Sequence, residues 1–371
     1  IAAETVRSPE RLPAFDNSAM DGFAVRAKET AGARRGRPVR LALLGSIAAG
    51  QRAPSGRHAT RARGAYEIMT GAPIPRGFDA IVRVEDARTD GANLLLDSPA
   101  RPGDWLRSSG SDLEAGAVLL ESGDRVAPRH LLALAAVGAE RLRVRRRPRV
   151  SLVSTGSELC APGERPGPGR IRNATGPYLA AALSGWGAEF TQARTAADER
   201  EALARALRSA REQASFIVTT GAVSMGRLDL VPAVLNELGA ESLFHRVAIK
   251  PGKPFMAARL PGGALVFSLP GNPVSTAVGW RFFLEPALRA RLGRPEERPH
   301  FARIRQKCVK PEGLRCFFKA SVEGPFAHVL PGQGSHQVLP LLRADAWAVL
   351  PEKGESVPAG TEVPVYSVEA Q

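Results

Sequence analysis

Two lysines, Lys250 and Lys253, stand either side of a proline-glycine corner in AIKPGKPF (248–255), and a second glycine corner follows in SLPGNPVS (268–275). Proline fixes the backbone at both corners, and glycine allows close approach or a positive φ. Two ammonium groups therefore leave one short, stiff loop. Either corner alone reads equally as a surface turn carrying solvated lysines. Two of them, each following an apolar run, describe a pre-shaped cationic pocket for a small anion.

The elements that must position this pocket change character along the chain. Up to about residue 150 the pattern is β-rich, with short strands expected at 22–26, 39–46, 65–69, 80–85, 93–96 and 117–120 and a helix over 128–137 that has proline in its first turn and stops at Gly138. From Val150 strands alternate with helices. Apolar runs at 150–153, 216–218 and 264–267 each enter a glycine-bearing loop (STGSEL, TTGAVSMG, SLPGNP). Helices are expected over 176–185, 198–213, 230–238 and 274–292, the second with Asp198 as its N-cap. That alternation is the grammar of a doubly wound parallel sheet, whose ligands gather at the carboxyl ends of its strands. After RPEERP (294–299), strands at 301–305, 316–322, 347–350 and 363–368 describe a small β-domain. The fold class is therefore multidomain α/β plus β: β-rich N-terminal domains, a central α/β domain and a C-terminal β-domain. The expected boundaries are 1–26 together with 107–148, then 27–106, 149–294 and 295–371.

Composition narrows the function. The 371 residues hold 51 Lys+Arg against 37 Asp+Glu, a net charge of +14 that favours anionic ligands. The dense run RLRVRRRPR (141–149) has no interleaved aromatic residues and belongs to no nucleic-acid motif, so it reads as a solvated linker, and no nucleic-acid partner is expected. The longest apolar stretch, 131–137, is far short of the ~20 residues that span a bilayer, and no signal pattern opens the chain. A cytoplasmic protein without a membrane partner is expected. Cys160, Cys308 and Cys316 lack disulfide or zinc spacing and read as inert thiols. No P-loop, GxGxxG or HExxH occurs.

FDNSAMDGFAVR (15–26), IMTGAPIPRGFDAIVRVED (68–86), STGSEL, TTGAVSMG, AIKPGKP, SLPGNPVS and GQGSH (332–336) together resemble, in order and over nearly the whole chain, the molybdopterin molybdenumtransferase family, which includes the E domain of gephyrin. The resemblance implies an enzyme that inserts molybdate into adenylylated molybdopterin, releasing AMP, with Mg²⁺ taking part. It also implies an elongated homodimer of four-domain subunits. Its sites would lie between the molybdopterin-binding α/β domain of one subunit and the β-rich second domain of the other. Transient contact with molybdopterin-supplying and molybdoenzyme-acceptor proteins is implied too. The family begins with a helical segment ahead of the residues matching Ile1.

Residue by residue, the resemblance assigns Lys250, Lys253, Ser275, Lys319 and Ser335 to molybdate. Lys319 stands where the family usually has arginine and keeps the charge without the bidentate fork. Asp198 and Asp229 match the acidic residues for the divalent cation and the phosphate-bond step, with Glu158 and Asp21 the other catalytic carboxylates. Thr155, Gly221, Ser224, Pro270, Pro273, Thr70 and Asp112 fall to the pterin and nucleotide. Three departures bear on these roles: Ala222 replaces the second glycine of a pair, GRLDL lacks one acidic residue of the family's pattern, and LRSSGSDL around Asp112 lacks two positive charges. Asp198 reads equally as a helix cap, and Asp21 and Glu158 as turn or helix-start acids. Two other functions are compatible with these motifs: a homologue that binds pterin or oxyanion without turnover, and the adenylyltransferase that acts one step earlier.

Overall fold

The computed structural model describes residues 1–55, 63–196, 199–222 and 230–369. The chain falls into two compact units, Ile1–Val144 and Arg145–Gln371.

The first unit is built on a six-stranded sheet: β1 (Gly22–Val25), β2 (Val39–Ile47), β3 (Gly64–Ile68), β4 (Ala80–Arg83), β5 (Arg88–Thr89) and β6 (Asn93–Leu96), in the order β4-β1-β3-β2-β6-β5. β2 and β3 run parallel and the other neighbours antiparallel. Gly22 is required where β1 meets β4, because any side chain there would collide with the Val82 carbonyl. β1 sits inside the sheet, so the sheet begins ahead of residue 27, where the sequence reading drew a boundary. The strands flanking this sheet in sequence join one another: Val6 pairs with Leu120, Leu12 with Leu113 and Ala2 with Val144. Helix α1 (Pro128–Ala136) follows, with proline at its start as expected.

The second unit contains the α/β region. Its strands are β7 (Arg149–Thr155), β8 (Glu189–Ala196), β9 (Phe216–Thr220), β10 (Glu241–His245), β12 (Met256–Arg259) and β13 (Leu265–Leu269), in the order β8-β7-β9-β13-β12-β10. The first four are parallel, but β12 and β10 are antiparallel, so the expected all-parallel sheet is a mixed one. β7 and β9 are buried on both faces from Val150 to Thr155 and from Phe216 to Thr220, as covered parallel strands must be. Helices α3 (Arg200–Gln213) and α4 (Leu230–Glu237) cover one face through Leu203, Leu207, Val231 and Val234. Helix α2 (Thr175–Gly185) covers the other through Leu179 and Leu183. The residue ahead of α3 is Glu199, in an extended conformation, so the cap position is not Asp198; Asp198 itself lies outside the described residues.

The last helix is composite. α5 (Pro273–Gly279) passes through a π turn (Trp280–Leu284) into α6 (Glu285–Arg291). Pro286 has no N–H to offer the carbonyl one turn back, and the widened turn ahead of it absorbs that loss. The π turn aims Arg281 and Phe282 at the C-terminal strands. These are β14 (His300–Ile304), β15 (Arg315–Glu323), β16 (Phe326–Val329), β17 (Ala346–Leu350) and β18 (Glu362–Ser367), and they close in the order β15-β16-β14-β18-β17-β15. The expected β-domain is thus a small barrel.

Three links tie barrel to α/β region. The two-residue strand β11 (Ile249–Lys250) adds in parallel to β15, Ile249 opposite Arg315 and Lys250 opposite Cys316. Phe282 packs on Phe317 in a tilted arrangement at 4.2 Å and meets Tyr366 edge-on at 5.3 Å. Arg281, 2% exposed, donates to the Ser367 carbonyl and pairs with Glu285 at 2.9 Å and Glu297 at 2.7 Å, while Arg289 reaches Glu285 at 3.2 Å. Burial pushes the Glu285 carboxyl upward, and Arg281 and then Arg289 pull it back.

Removing one member of such a buried network leaves its partners' charge uncompensated, which costs more than the network contributes over an apolar core. Glu285→Ala is therefore expected to destabilise this unit by about 3–5 kcal/mol, read as a lowered midpoint in thermal unfolding. Glu241→Ala, which removes the exposed pair with Arg259, should cost under about 1 kcal/mol. Equal effects at the two sites would contradict this account of the junction.

Candidate functional site

Three strand ends meet at the carboxyl edge of the central sheet. Thr155, at the end of β7, donates its hydroxyl to the Thr220 carbonyl at 3.0 Å. Gly221 follows β9 with φ +88°, its N–H on the Leu269 carbonyl at 3.0 Å. A β-carbon on Gly221 would lie 2.5 Å from the Thr155 carbonyl oxygen, so only glycine lets these two strand ends close up. Ala222 is held at φ +47°, a left-handed conformation that a non-glycine residue adopts at a cost. Next to it the chain leaving β13 turns through Pro270 and Gly271 into α5.

The lysine corner closes on this edge from the barrel side. β11 anchors Lys250 to β15, the Lys250–Pro251 bond is cis, and Gly252 turns at φ +112°. The Lys253 carbonyl accepts from the Val247 N–H at 2.9 Å and the Gly252 carbonyl from the Phe255 N–H at 3.0 Å, so both lysines leave a corner whose backbone is internally bonded. The barrel also supplies a loop over residues 332–337. Its Ser335 carbonyl accepts the Val274 N–H at 3.0 Å, next to Ser275.

These pieces enclose a cavity of ≈ 420 Å³ whose polar lining includes Lys250, Lys253, Ser275, Ser335, Asn272 and Gln333. Pro270 and Ala222 form part of its apolar wall. Ser275 is 3% exposed, whereas both lysines are exposed at the mouth. Among the described residues, no carboxylate lines it. Two cations and two hydroxyl-bearing residues lining one concave site suit a compact oxyanion.

Three family models match the chain in sequence order: the MoeA N-terminal region (domain I and II) over residues 1–138, a probable molybdopterin binding domain over 151–290 and the MoeA C-terminal region (domain IV) over 288–368. A molybdopterin molybdenumtransferase of Synechococcus elongatus is 40% identical over 375 residues, spanning 99% of this chain and 92% of that protein. The chain belongs to the molybdopterin molybdenumtransferase family. A family member from Bacillus subtilis is 34% identical, over 99% of this chain and 86% of its own length. The crystal structure of a molybdopterin biosynthesis moea protein from Pyrococcus horikosii superposes with a TM-score of 0.85 at 33% identity, covering 100% of this chain and 92% of that one.

Against the residues that likeness to the molybdopterin molybdenumtransferases assigns, the structure divides the set. Lys250, Lys253, Ser275, Ser335 and Pro270 share the cavity, and Thr155 and Gly221 pack directly behind its strand-end wall. Pro273 opens α5, two residues ahead of Ser275. Lys319 does not line the cavity. Fully buried at 0% exposure, it donates its ammonium to the carbonyls of Gln337 at 3.0 Å and Gly334 at 3.4 Å, and burial lowers its pKa. Glu158 is exposed beyond β7, its carboxylate folded over Gly156. Ser224, Asp198 and Asp229 lie outside the described residues, and among the described residues no three His, Cys, Asp or Glu side chains gather as a cation site.

In the first unit Asp21 and Thr70 are joined. The Asp21 carboxylate accepts the Thr70 N–H at 2.6 Å and its hydroxyl at 2.8 Å, and these bonds, the backbone one first, hold Asp21 below the usual carboxylate range. Asp112 is exposed, its N–H on the Leu12 carbonyl at 3.0 Å. All three cysteines are buried and unpaired, and burial raises Cys308 and Cys316.

Gln333 and Asn272 are the polar residues, among the described lining, that sequence reasoning passed over. Both stand inside quoted motifs, GQGSH and SLPGNP, where attention to lysine and serine left their amides unconsidered.

The strand-end packing can be tested directly. Gly221→Ala should lower stability by about 1–3 kcal/mol through its positive φ and the Thr155 carbonyl. Gly271→Ala, whose added carbon meets Gly221 no closer than 3.6 Å, should change it by less than about 0.5 kcal/mol. Thermal melts of the two variants check this, and a Gly221→Ala melt indistinguishable from the unsubstituted protein would refute it.

Proposed function

We propose that the chain acts in molybdenum cofactor biosynthesis by inserting molybdate into adenylylated molybdopterin, releasing AMP and forming molybdenum cofactor. The observation that carries this reading is the convergence of Lys250, Lys253, Ser275 and Ser335 on one cavity in a chain of this family.

The physical problem in such a reaction is repulsion, because a doubly charged oxyanion must approach a substrate that carries a dithiolene and phosphates. At about 5 Å and an effective dielectric of about 20, a lysine and a dianion attract by about 7 kcal/mol before desolvation, against about 1 kcal/mol net for a hydroxyl hydrogen bond. The lysines therefore capture the ion. Ser275 and Ser335, which line the cavity from two different elements and can donate hydroxyl hydrogen bonds, orient it. Thr155, Gly221, Ser224, Pro270, Pro273, Thr70 and Asp112 are assigned to the pterin and nucleotide, with Glu158 and Asp21 as further catalytic carboxylates. Lys319, which the family likeness groups with the oxyanion residues, enters this reading through the loop that carries Ser335. The account includes a divalent cation, Mg²⁺, which would be held by Asp198 and Asp229; when bound it supplies charge neutralisation at the phosphate bond. A homodimer, a cytoplasmic location, and transient contacts with molybdopterin-supplying and molybdoenzyme-acceptor proteins complete the proposal.

The test is a reaction of purified protein with adenylylated molybdopterin, molybdate and Mg²⁺. AMP release that depends on molybdate and stops on chelation is expected, and Lys250→Met should lower molybdate affinity more than tenfold while Ser275→Ala lowers it less. Tight pterin binding without AMP release would favour a non-catalytic binding homologue, and adenylylated pterin formed from ATP would favour an adenylyltransferase.

A further inference from the structure

Lys319 stands on β15 with no surface of its own, in register with Trp347 on the neighbouring strand β17. Every polar contact it makes goes to one short stretch of chain. Its ammonium donates to the carbonyls of Gly334 and Gln337. Its backbone N–H donates to the Gln333 Oε1 at 2.9 Å, and its carbonyl accepts from the Gln333 Nε2 at 2.9 Å. The loop adds stitches of its own, the Gln333 Nε2 also reaching the Leu330 carbonyl at 2.6 Å and the Gly334 N–H reaching the Gln337 Oε1 at 2.7 Å. Ser335 lies between the two carbonyls that Lys319 holds, and the backbone of Ser335 is tied on its other side to α5 through Val274.

We propose that Lys319 is a positioning residue: it clamps the loop over residues 333–337 so that Ser335 and Gln333 face the oxyanion cavity, and it does not itself bond the oxyanion. This refines the cavity reading above and rests on it. The chemistry of the side chain fits the task. An ammonium is a compact charge with three donors that can grip two carbonyls from different directions, whereas a guanidinium is a flat fork matched to a carboxylate or an oxyanion. Here two donors are spent on main-chain carbonyls, and the charge sits behind the loop instead of in the cavity wall.

The experiment uses the full chain with Lys319→Met, Ser335→Ala and the double variant, with molybdate binding read by equilibrium dialysis and amide hydrogen exchange of the loop read without ligand. Lys319→Gln takes the place of the methionine variant if that one does not fold. If Lys319 acts through the loop, it and Ser335→Ala each weaken molybdate binding by about tenfold, but the double variant is within about threefold of either single one. The loop also exchanges faster in the ligand-free Lys319 variant, with the rest of the barrel unchanged. Losses that multiply in the double variant, or loop exchange equal to that of the unsubstituted protein, overturn the proposal. If the unsubstituted protein binds no molybdate, or Lys250→Met leaves binding unchanged, the cavity reading fails, while the exchange result still decides whether Lys319 holds the loop.

Discussion

The two-residue strand Ile249–Lys250 is the constraint on which the site depends. It leaves the α/β region in sequence but hydrogen-bonds to β15 of the barrel, so the lysine corner is fixed to one body while the strand-end glycines belong to the other. A flexible loop carrying two lysines would spend conformational entropy on each binding event. Pairing with β15, the stiff Pro-Gly turn and the Val247–Lys253 backbone bond remove most of that cost in advance. The Phe282–Phe317 contact and the Arg281–Glu285–Glu297 network then keep barrel and α/β region in one arrangement, which is what a cavity made from both requires.

The cavity shows how charge is presented without being lost. Lys250 and Lys253 remain solvated at the mouth, where their charge costs nothing to maintain. Ser275, by contrast, is buried. Lys319 illustrates the opposite case: a fully buried cation with carbonyl partners, whose desolvation is tolerated because it organises a loop. Three lysines within one region thus occupy two different physical situations, a distinction that residue type alone does not carry.

Much of this was legible in the sequence because the signals were local. The glycine-bearing strand ends, the Pro-Gly corner and the proline-led start of α1 are determined by neighbours in the chain, and each appears where its pattern placed it. What failed to show was set by distant partners. β8 reads EFTQARTA, with no apolar run, since an edge strand needs only one buried flank. β10 and β12 run antiparallel because of what they pair with, and nothing in ESLFH or MAAR announces it. β11 is two residues long and invisible to any periodicity. Lys319 carries the clearest lesson: its sequence position pointed to a ligand, but its direction is dictated by β15 alternation and by carbonyls 15 and 18 residues further on.

The central claim is that an oxyanion binds in the pocket bounded by the lysine corner, the start of α5 and the loop bearing Ser335. A crystal structure of the protein soaked with molybdate, with the metal located by its anomalous scattering, tests it most directly. The account predicts a peak within hydrogen-bonding reach of Lys250, Lys253, Ser275 and Ser335. A peak only on the arginine-rich segment at 141–149, or a vacant pocket under saturating molybdate, would contradict it.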